Sequence, residues 1–514
     1  MGENMFIRRK IVRDTLMLTV MQLFLDTASL MLNAFITRKL GSSAIGVLTL
    51  TGTFLGLAGI ISNGNAYLCT SRLISEELGK KDSSPERILA HGVKLCMILS
   101  ISVSAVIEVF AETISEHFFR SSELTADIRL MPAALISGAA ASCLKGYFNA
   151  ERRSSVTAAG DILEFIVRCS VIASAAITAG AVSESGVCGI MISGIIAGNV
   201  FSLAFFAVVY LRSKRGPKRR GSISFKEYAA LAFPIMGGGI LTAVLSSTND
   251  ALIPICLRQY GDSAGRALSL FGIFEAIVIP TLFFPSVILC SMSGIIVSET
   301  ARASASGDTC RIRSLASRLT EFTLIYAVFS AGVLIRFGRP IGEALGGGSL
   351  AGNMISAIAP VVPFIYMEIV LEAMIKGMGL QGFSSLNYLG EYAVRISIVL
   401  IAVPHFGFIG IAASYYASNV IGNISRCIKL SRASGCGIHP VRNVLIPAVY
   451  TFMTMCAAEL IVRTVSGGTE TIPQAVFMTL LWGCGYTGIF VLMKRGKIRF
   501  TPCQTCKIGK SLSN

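Results

Sequence analysis

Apolar runs of about twenty residues recur almost end to end along this 514-residue chain, and each is long enough to cross the hydrocarbon core of a bilayer as a helix. That feature removes most of fold space, because a backbone passing through lipid must find every hydrogen-bond partner inside the protein. Composition agrees. The chain is 53% hydrophobic and 14% charged, where a soluble protein carries about 25% charge. The reading is an all-α polytopic membrane protein with about fourteen transmembrane helices, at 11–36, 44–70, 89–111, 124–148, 156–180, 186–211, 227–257, 265–297, 318–338, 353–376, 383–404, 407–430, 441–465 and 472–494. The first run is too long for a signal peptide and carries Asp26, so it reads as helix 1.

The spans are not independent. LKGYFNAERRSSVTAAGDILEFIVR (Leu144–Arg168) has a looser copy, IKGMGLQGFSSLNYLGEYAVR (Ile375–Arg395). In both, a Lys-Gly pair (Lys145-Gly146, Lys376-Gly377) ends one span, and a glutamate and arginine four apart (Glu164/Arg168, Glu391/Arg395) sit inside the next. RQYGDSAGRAL after helix 7 repeats RKLGSSAIGVL after helix 1, and Ser75-Glu76 reads as the match of Ser298-Glu299. GFIGIAASYYASNV in helix 12 likewise pairs with GVCGIMISGIIAGNV in helix 6. Six helices therefore form one unit. An even number gives two pseudo-symmetric lobes of like orientation, with a site near the midplane at their interface. The domains are 1–215 and 216–435 for the lobes, 436–495 for two additional helices and 496–514 for a tail.

A net charge of +16 raises the question of nucleic acid, and the placement of the charge answers it. With the N-terminus inside, 33 of the 45 Lys and Arg fall on cytoplasmic segments, Arg426 among them. This positive-inside bias puts both termini in the cytoplasm and assigns the basic charge to topology and anionic lipid headgroups.

Polar residues within the spans are the site candidates, since such groups are costly unless a cavity or a partner receives them. Helix 1 carries Arg13 at its cytoplasmic mouth, Asp26 near mid-depth and Asn33 further out. Arg13 either snorkels to headgroups or captures phosphate. In SNGNAYLCTS the asparagines Asn63 and Asn65 flank Gly64, a place for a locally unwound helix. Asn249 and Asp250 on helix 7, Arg258 and Arg266 at the outer mouth, and Glu275 on helix 8 complete the candidate cavity lining. Asp26, Glu275, Glu368 and Glu372 are candidates for coupling to H+ or Na+. Glu372 and Lys376 also have the i,i+4 spacing of a plain salt bridge. Glu164/Arg168 and Glu391/Arg395, roughly 10–18 Å deep, read as ion pairs that neutralise themselves and hold each helix in place.

Enzymatic constellations are absent: there is no HExxH, GxSxG or Walker pattern, and His91, His117, His405 and His439 are dispersed. Cys503-x-x-Cys506 lacks two further ligands for zinc. No catalytic residue, metal or cofactor is expected, and the chain reads as a monomer.

The stretch Asn33–Gly41 (NAFITRKLG), the Asn-Gly turn before SRLISEE, LKGYFNAERR with its downstream ExxxR, and SETARASASGD together resemble the polysaccharide-exporter branch of the multidrug/oligosaccharidyl-lipid/polysaccharide (MOP) superfamily, over about residues 6–435. The likeness is to stage V sporulation protein B-like proteins and the related lipid II flippases. It implies two six-helix lobes in a V around a cationic cavity, and alternating access that moves a lipid-linked oligosaccharide or cell-wall peptidoglycan precursor. Where such flippases grip pyrophosphate with arginines of helices 1, 2 and 8, this chain offers Arg13, none on helix 2 before Arg72, and Arg266. Two other functions fit the same frame. One is a multidrug exporter of the superfamily, in which Asp26 or Glu275 exchanges protons or Na+ for an amphipathic cation. The other is a non-transporting scaffold for envelope synthesis.

Overall fold

The computed structural model describes residues 2–78, 85–119, 122–151, 153–178, 184–213, 224–434, 446–466 and 472–495; the side chains before Thr19, and those at some later positions such as 472–476 and 489–495, lie outside the description. The basic stretch 214–223, the tail beyond Arg495 and the side chain of Arg13 lie outside the described residues. Every described element is helical. Sixteen helices carry the argument: α1 (Gly2–Leu40), α2 (Ser42–Asn63), α3 (Ala66–Leu78), α4 (Pro85–Val109), α5 (Met131–Ala150), α6 (Ser154–Thr178), α7 (Glu184–Arg212), α8 (Phe225–Gln259), α9 (Ala264–Ile273), α10 (Val287–Ala305), α11 (Thr309–Ala344), α12 (Val362–Gly377), α13 (Gln381–Phe406), α14 (Phe408–Ser434), α15 (Ile446–Ser466) and α16 (Ile472–Arg495).

Among the described residues ten stretches are long and apolar enough to cross a membrane. The other four runs read from the sequence are the helices α6, α14, α15 and α16. Two of them are polar for a reason. Asp161 of α6 pairs with Lys145 of α5, Glu164 and Arg168 of α6 pair with each other, and the asparagines of α14 (Asn419, Asn423) bond backbone carbonyls of α14 or α12.

Two compact units emerge: residues 1–277 with 345–347 and 396–411, and residues 278–344 with 348–395 and 412–514. In the first, α3, α4, α5, α7 and α8 bury a core that includes Ile74, Cys143, Phe148, Phe206 and Tyr228. Lipid tails are as apolar as leucine, so close packing and buried polar contacts, rather than expulsion of water, select one arrangement.

The expected break in the second span is present. Gly64 and Asn65 both take left-handed φ values, 55° and 53°, and they separate the end of α2 from the start of α3. The carbonyls released there do not go unbonded. The Cys96 thiol donates to Asn63 O at 3.2 Å and the Cys69 thiol to Gly64 O at 3.7 Å. Met236 lies where a side chain on Gly64 would project.

The internal repeat is visible as matching contacts. A Cβ on Gly146 would sit 2.7 Å from Tyr67 O and 3.1 Å from Thr70 Cβ; one on Gly377 would sit 2.6 Å from Val297 O and 2.8 Å from Thr300 Cβ. The Lys-Gly motif thus lets α5 close on α3, and α12 on α10, at one register. That register corrects the sequence alignment. Thr70-Ser71-Arg72 corresponds to Thr300-Ala301-Arg302, so Ser75-Glu76 and Ser298-Glu299 are not equivalents. The next contacts agree. Gly198 lies against Glu164 of α6, and Gly422 against Glu391 of α13. Asn199 Nδ2 donates to Ala134 O and Asn423 Nδ2 to Phe364 O, both at 3.0 Å.

In the second unit the chain's one tryptophan is fully buried where α16 meets α11 and α15. Trp482 Nε1 donates to Thr451 O and Thr454 Oγ1, each at 3.0 Å, and its ring fits over Gly332, where a Cβ would come within 3.1 Å. Arg336 and Glu459, 3.3 Å apart, join α11 to α15 as well.

Candidate functional site

The candidates of the first unit fall into separate groups. Asp26 is half-buried, and Gln22 Nε2, one turn back on α1, donates to its Oδ1 at 2.8 Å. Asn33 and Glu275 share a neighbourhood with a local cause. Pro280 has no N–H to offer the carbonyl four residues earlier, and residues Phe274–Val278 widen into a π turn. The freed Ala276 carbonyl is bonded by Asn33 Nδ2 at 2.9 Å. Asn33 is therefore committed to α1 packing, while Glu275 lies half-buried in that turn.

Asn63 and Asn65 build the helix break, Asn63 Oδ1 accepting from the Ala66 N–H at 3.4 Å. Asn249 is 2% exposed. Its Nδ2 donates to Asp250 Oδ1 at 3.2 Å, and Thr53 Oγ1 donates to Asp250 Oδ2 at 3.3 Å, tying α8 to α2. Arg258 is half-buried near the end of α8. Arg266 is exposed and paired with Asp262 at 3.1 Å. On α6 the expected pair is formed, Arg168 Nη1 lying 3.4 Å from Glu164 Oε1. One turn earlier Lys145 reaches Asp161 at 2.6 Å and stands over the Tyr67 ring.

The second unit gathers the densest charge. Arg426 of α14 is fully buried. Its Nη2 donates to Glu368 Oε1 and to Glu391 Oε2, both at 3.2 Å, and its Nε to Glu372 Oε2 at 3.3 Å. Nη1 comes within 2.5 Å of Glu391 Oε1, off the hydrogen-bond axis. The guanidinium also faces the Tyr388 ring, 4.9 Å from its centroid. Lys376 is 3.2 Å from Glu372, Ser384 donates to the same carboxylate, and Asn387 Nδ2 donates to Glu391 at 2.7 Å. Three carboxylates thus surround one buried cation, with a half-exposed lysine alongside. A buried charge survives only when its partners replace the lost water, and here four side chains do so: Glu368, Glu372, Glu391 and the Tyr388 ring.

Two sequence expectations change at this cluster. Arg426, counted with the cytoplasmic charges, belongs inside α14. The second ExxxR motif is not a self-neutralised pair: Glu391 is held by Arg426, and Arg395 instead donates from Nε to Ser418 Oγ at 3.0 Å. The cause is one residue on the facing helix. Counting four on from the matched glycines Gly198 and Gly422 gives Ser202 in α7 and Arg426 in α14. A signal was present in the sequence, since Glu368, Glu372 and Glu391 outnumber the cations, Lys376 and Arg395, assigned to the same spans. Among the described residues no group of three or more His, Cys, Asp or Glu has the geometry to hold a metal ion.

Comparison with known proteins bears on what such a bundle does. Residues 18–169 match the MatE family model. Stage V sporulation protein B of Bacillus subtilis (strain 168) is 20% identical over 487 residues, spanning 91% of this chain and 93% of that protein. In fold the chain is similar to lipid II flippase MurJ in an inward closed conformation, with a TM-score of 0.69 at 13% identity over 94% of this chain and all of that one. It is also similar to a multidrug resistance MATE family transporter of the MOP superfamily in an inward-facing conformation, with a TM-score of 0.63 at 13% identity over 80% and 96% of the two chains. The fold is shared with these proteins, and the chain's long apolar helices are those of a multi-pass membrane protein.

Proposed function

We propose, for a chain with the fold of the MOP superfamily, that it is a flippase carrying a lipid-linked oligosaccharide or peptidoglycan precursor across the cytoplasmic membrane by alternating access. The observation that carries this reading is the extent of the likeness: the flippase match takes in 94% of the chain and all of its counterpart, against 80% for the multidrug transporter.

In this reading no bond is made or broken. The sugar-diphosphate head passes through polar surface while the lipid tail stays in the bilayer. Arg13, Arg258 and Arg266 supply positive charge along the path, and half-buried Asp250, braced by buried Asn249, offers acceptors to sugar hydroxyls. Asp26 and Glu275, or the carboxylates Glu368 and Glu372, take the H+ or Na+ that gives the cycle direction. A cation-coupled multidrug exporter is the second reading, and Asp26 favours it, because its carboxylate is bonded by an amide rather than by a cation.

The test uses the full chain in lipid vesicles loaded with a fluorescent undecaprenyl-diphosphate saccharide. Protein-dependent loss of the probe to an external quencher is the expected result. Ethidium transport without any movement of the lipid-linked probe reverses the choice between the two readings.

A further inference from the structure

The two ExxxR motifs begin as copies and end in different electrostatic states. On α6, Arg168 is matched by Glu164 at 3.4 Å. On α13, both oxygens of Glu391 are engaged by Arg426, and Asn387 bonds one of them. Arg395 is left with a single hydrogen bond, from Nε to Ser418. Its plane is set by the Tyr415 ring, 4.2 Å from the centroid, and by Tyr392 at 5.5 Å. Among the described residues no carboxylate pairs with it and its two terminal nitrogens donate to nothing, while the side chain as a whole is half-buried. Arg395 stands fourteen residues into a 26-residue helix, roughly 21 Å along it. An arginine at that depth calls for a counter-anion or a wet surface.

We infer that Arg395 binds a phosphate group, presenting its terminal nitrogens as a two-pronged donor held flat by Tyr415 and aimed by Ser418. A guanidinium fork matches two oxygens of one phosphate, and stacking on an aromatic ring fixes its orientation beforehand. Arg426 makes this possible by removing the neighbouring glutamate from competition. The inference deepens the flippase reading and rests on it for the source of the phosphate, the diphosphate of a lipid-linked saccharide. Ordinary phospholipid headgroups share that chemistry.

The experiment measures binding, not transport, on the full chain in phosphatidylcholine nanodiscs. The probe is fluorescent undecaprenyl diphosphate, with phosphatidylglycerol titrated separately. Arg395→Gln is expected to weaken probe binding about tenfold or more, and Arg395→Lys to lie between it and wild type, because an ammonium keeps the charge without the fork. Ser418→Ala should weaken binding about threefold by freeing Nε. The double variant Glu164→Gln/Arg168→Gln should bind as wild type does.

Equal losses for probe and phosphatidylglycerol support the phosphate site and assign it to bilayer lipid. Arg395→Gln and Arg395→Lys that both stay folded, by thermal midpoint, and both bind the probe at full strength overturn it. If Arg395→Gln does not fold, Arg395→Lys alone decides. Arg395-dependent binding in a protein that moves no lipid-linked probe keeps the site and defeats only the transport reading.

Discussion

Arg426 Nη1 lies 2.5 Å from Glu391 Oε1, joining α14 to α13 at a point where both side chains are withdrawn from solvent. The contact fixes the state of everything near it, because Glu368 and Glu372 depend on the same guanidinium. Breaking a buried ion pair on one side costs about 3–5 kcal/mol, since the charges left behind have no water. Arg426→Gln should therefore lower the thermal midpoint sharply. Adding Glu391→Gln to that variant should recover part of the loss. The fluorescence of Trp482, alone in the chain and fully buried, reports both transitions.

Gly146 and Gly377 should respond alike to substitution. An alanine Cβ at either would meet a backbone carbonyl, Tyr67 O at 2.7 Å or Val297 O at 2.6 Å. Overpacking of this kind costs about 1–3 kcal/mol. Gly390→Ala, with nothing within 4 Å of its Cβ, is the control expected to sit at or above wild type. Thermal stability in detergent, measured for all three, checks the register. Unequal effects of the first two would break the equivalence between them.

Asn33 and Pro280 should be coupled. Asn33→Ala leaves the Ala276 carbonyl unbonded, at a cost of about 1–3 kcal/mol, and Pro280→Ala restores the N–H that would bond it from within the helix. The double variant is expected to be more stable than Asn33→Ala alone. A double-mutant cycle from denaturation midpoints measures the coupling, and strict additivity would separate the asparagine from the π turn.

Trp482→Phe should cost about 1–2 kcal/mol, because Thr454 Oγ1 loses a donor and the ring keeps most of its packing. Trp482→Ala should cost about 3–5 kcal/mol by opening a cavity beside Gly332. A fluorescence-detected size-exclusion melt separates the two. Similar losses would mean that the hydrogen bonds, not the ring, hold α16 in place.

The sequence made legible whatever depends on one segment at a time. Hydropathy found the helices, the paired asparagines marked the break at Gly64, and the Lys-Gly and ExxxR motifs exposed the repeat. What it missed depends on a third helix. The partner of Glu391 stands 35 positions away on α14, and nothing local separates that arginine from one at a helix end. The alignment slipped for a related reason. Ser-Glu recurs by chance in polar surface text, whereas Thr70 and Thr300 are fixed by what packs on them. Of the candidate site, Asn33 and Asn63 turned out to serve backbone carbonyls and N–H groups left over by bends, a use that residue type alone does not reveal.

Two consecutive left-handed residues at Gly64 and Asn65 have a mechanical result. A continuous ladder resists bending because every turn shares its rungs with the next, and here the ladder stops and restarts. The thiols of Cys69 and Cys96 hold the loose rungs with soft, long bonds that tolerate small changes of angle. A change of angle at this joint would therefore break no backbone rung within either helix, and in the alternating-access reading proposed above that is the property a hinge requires.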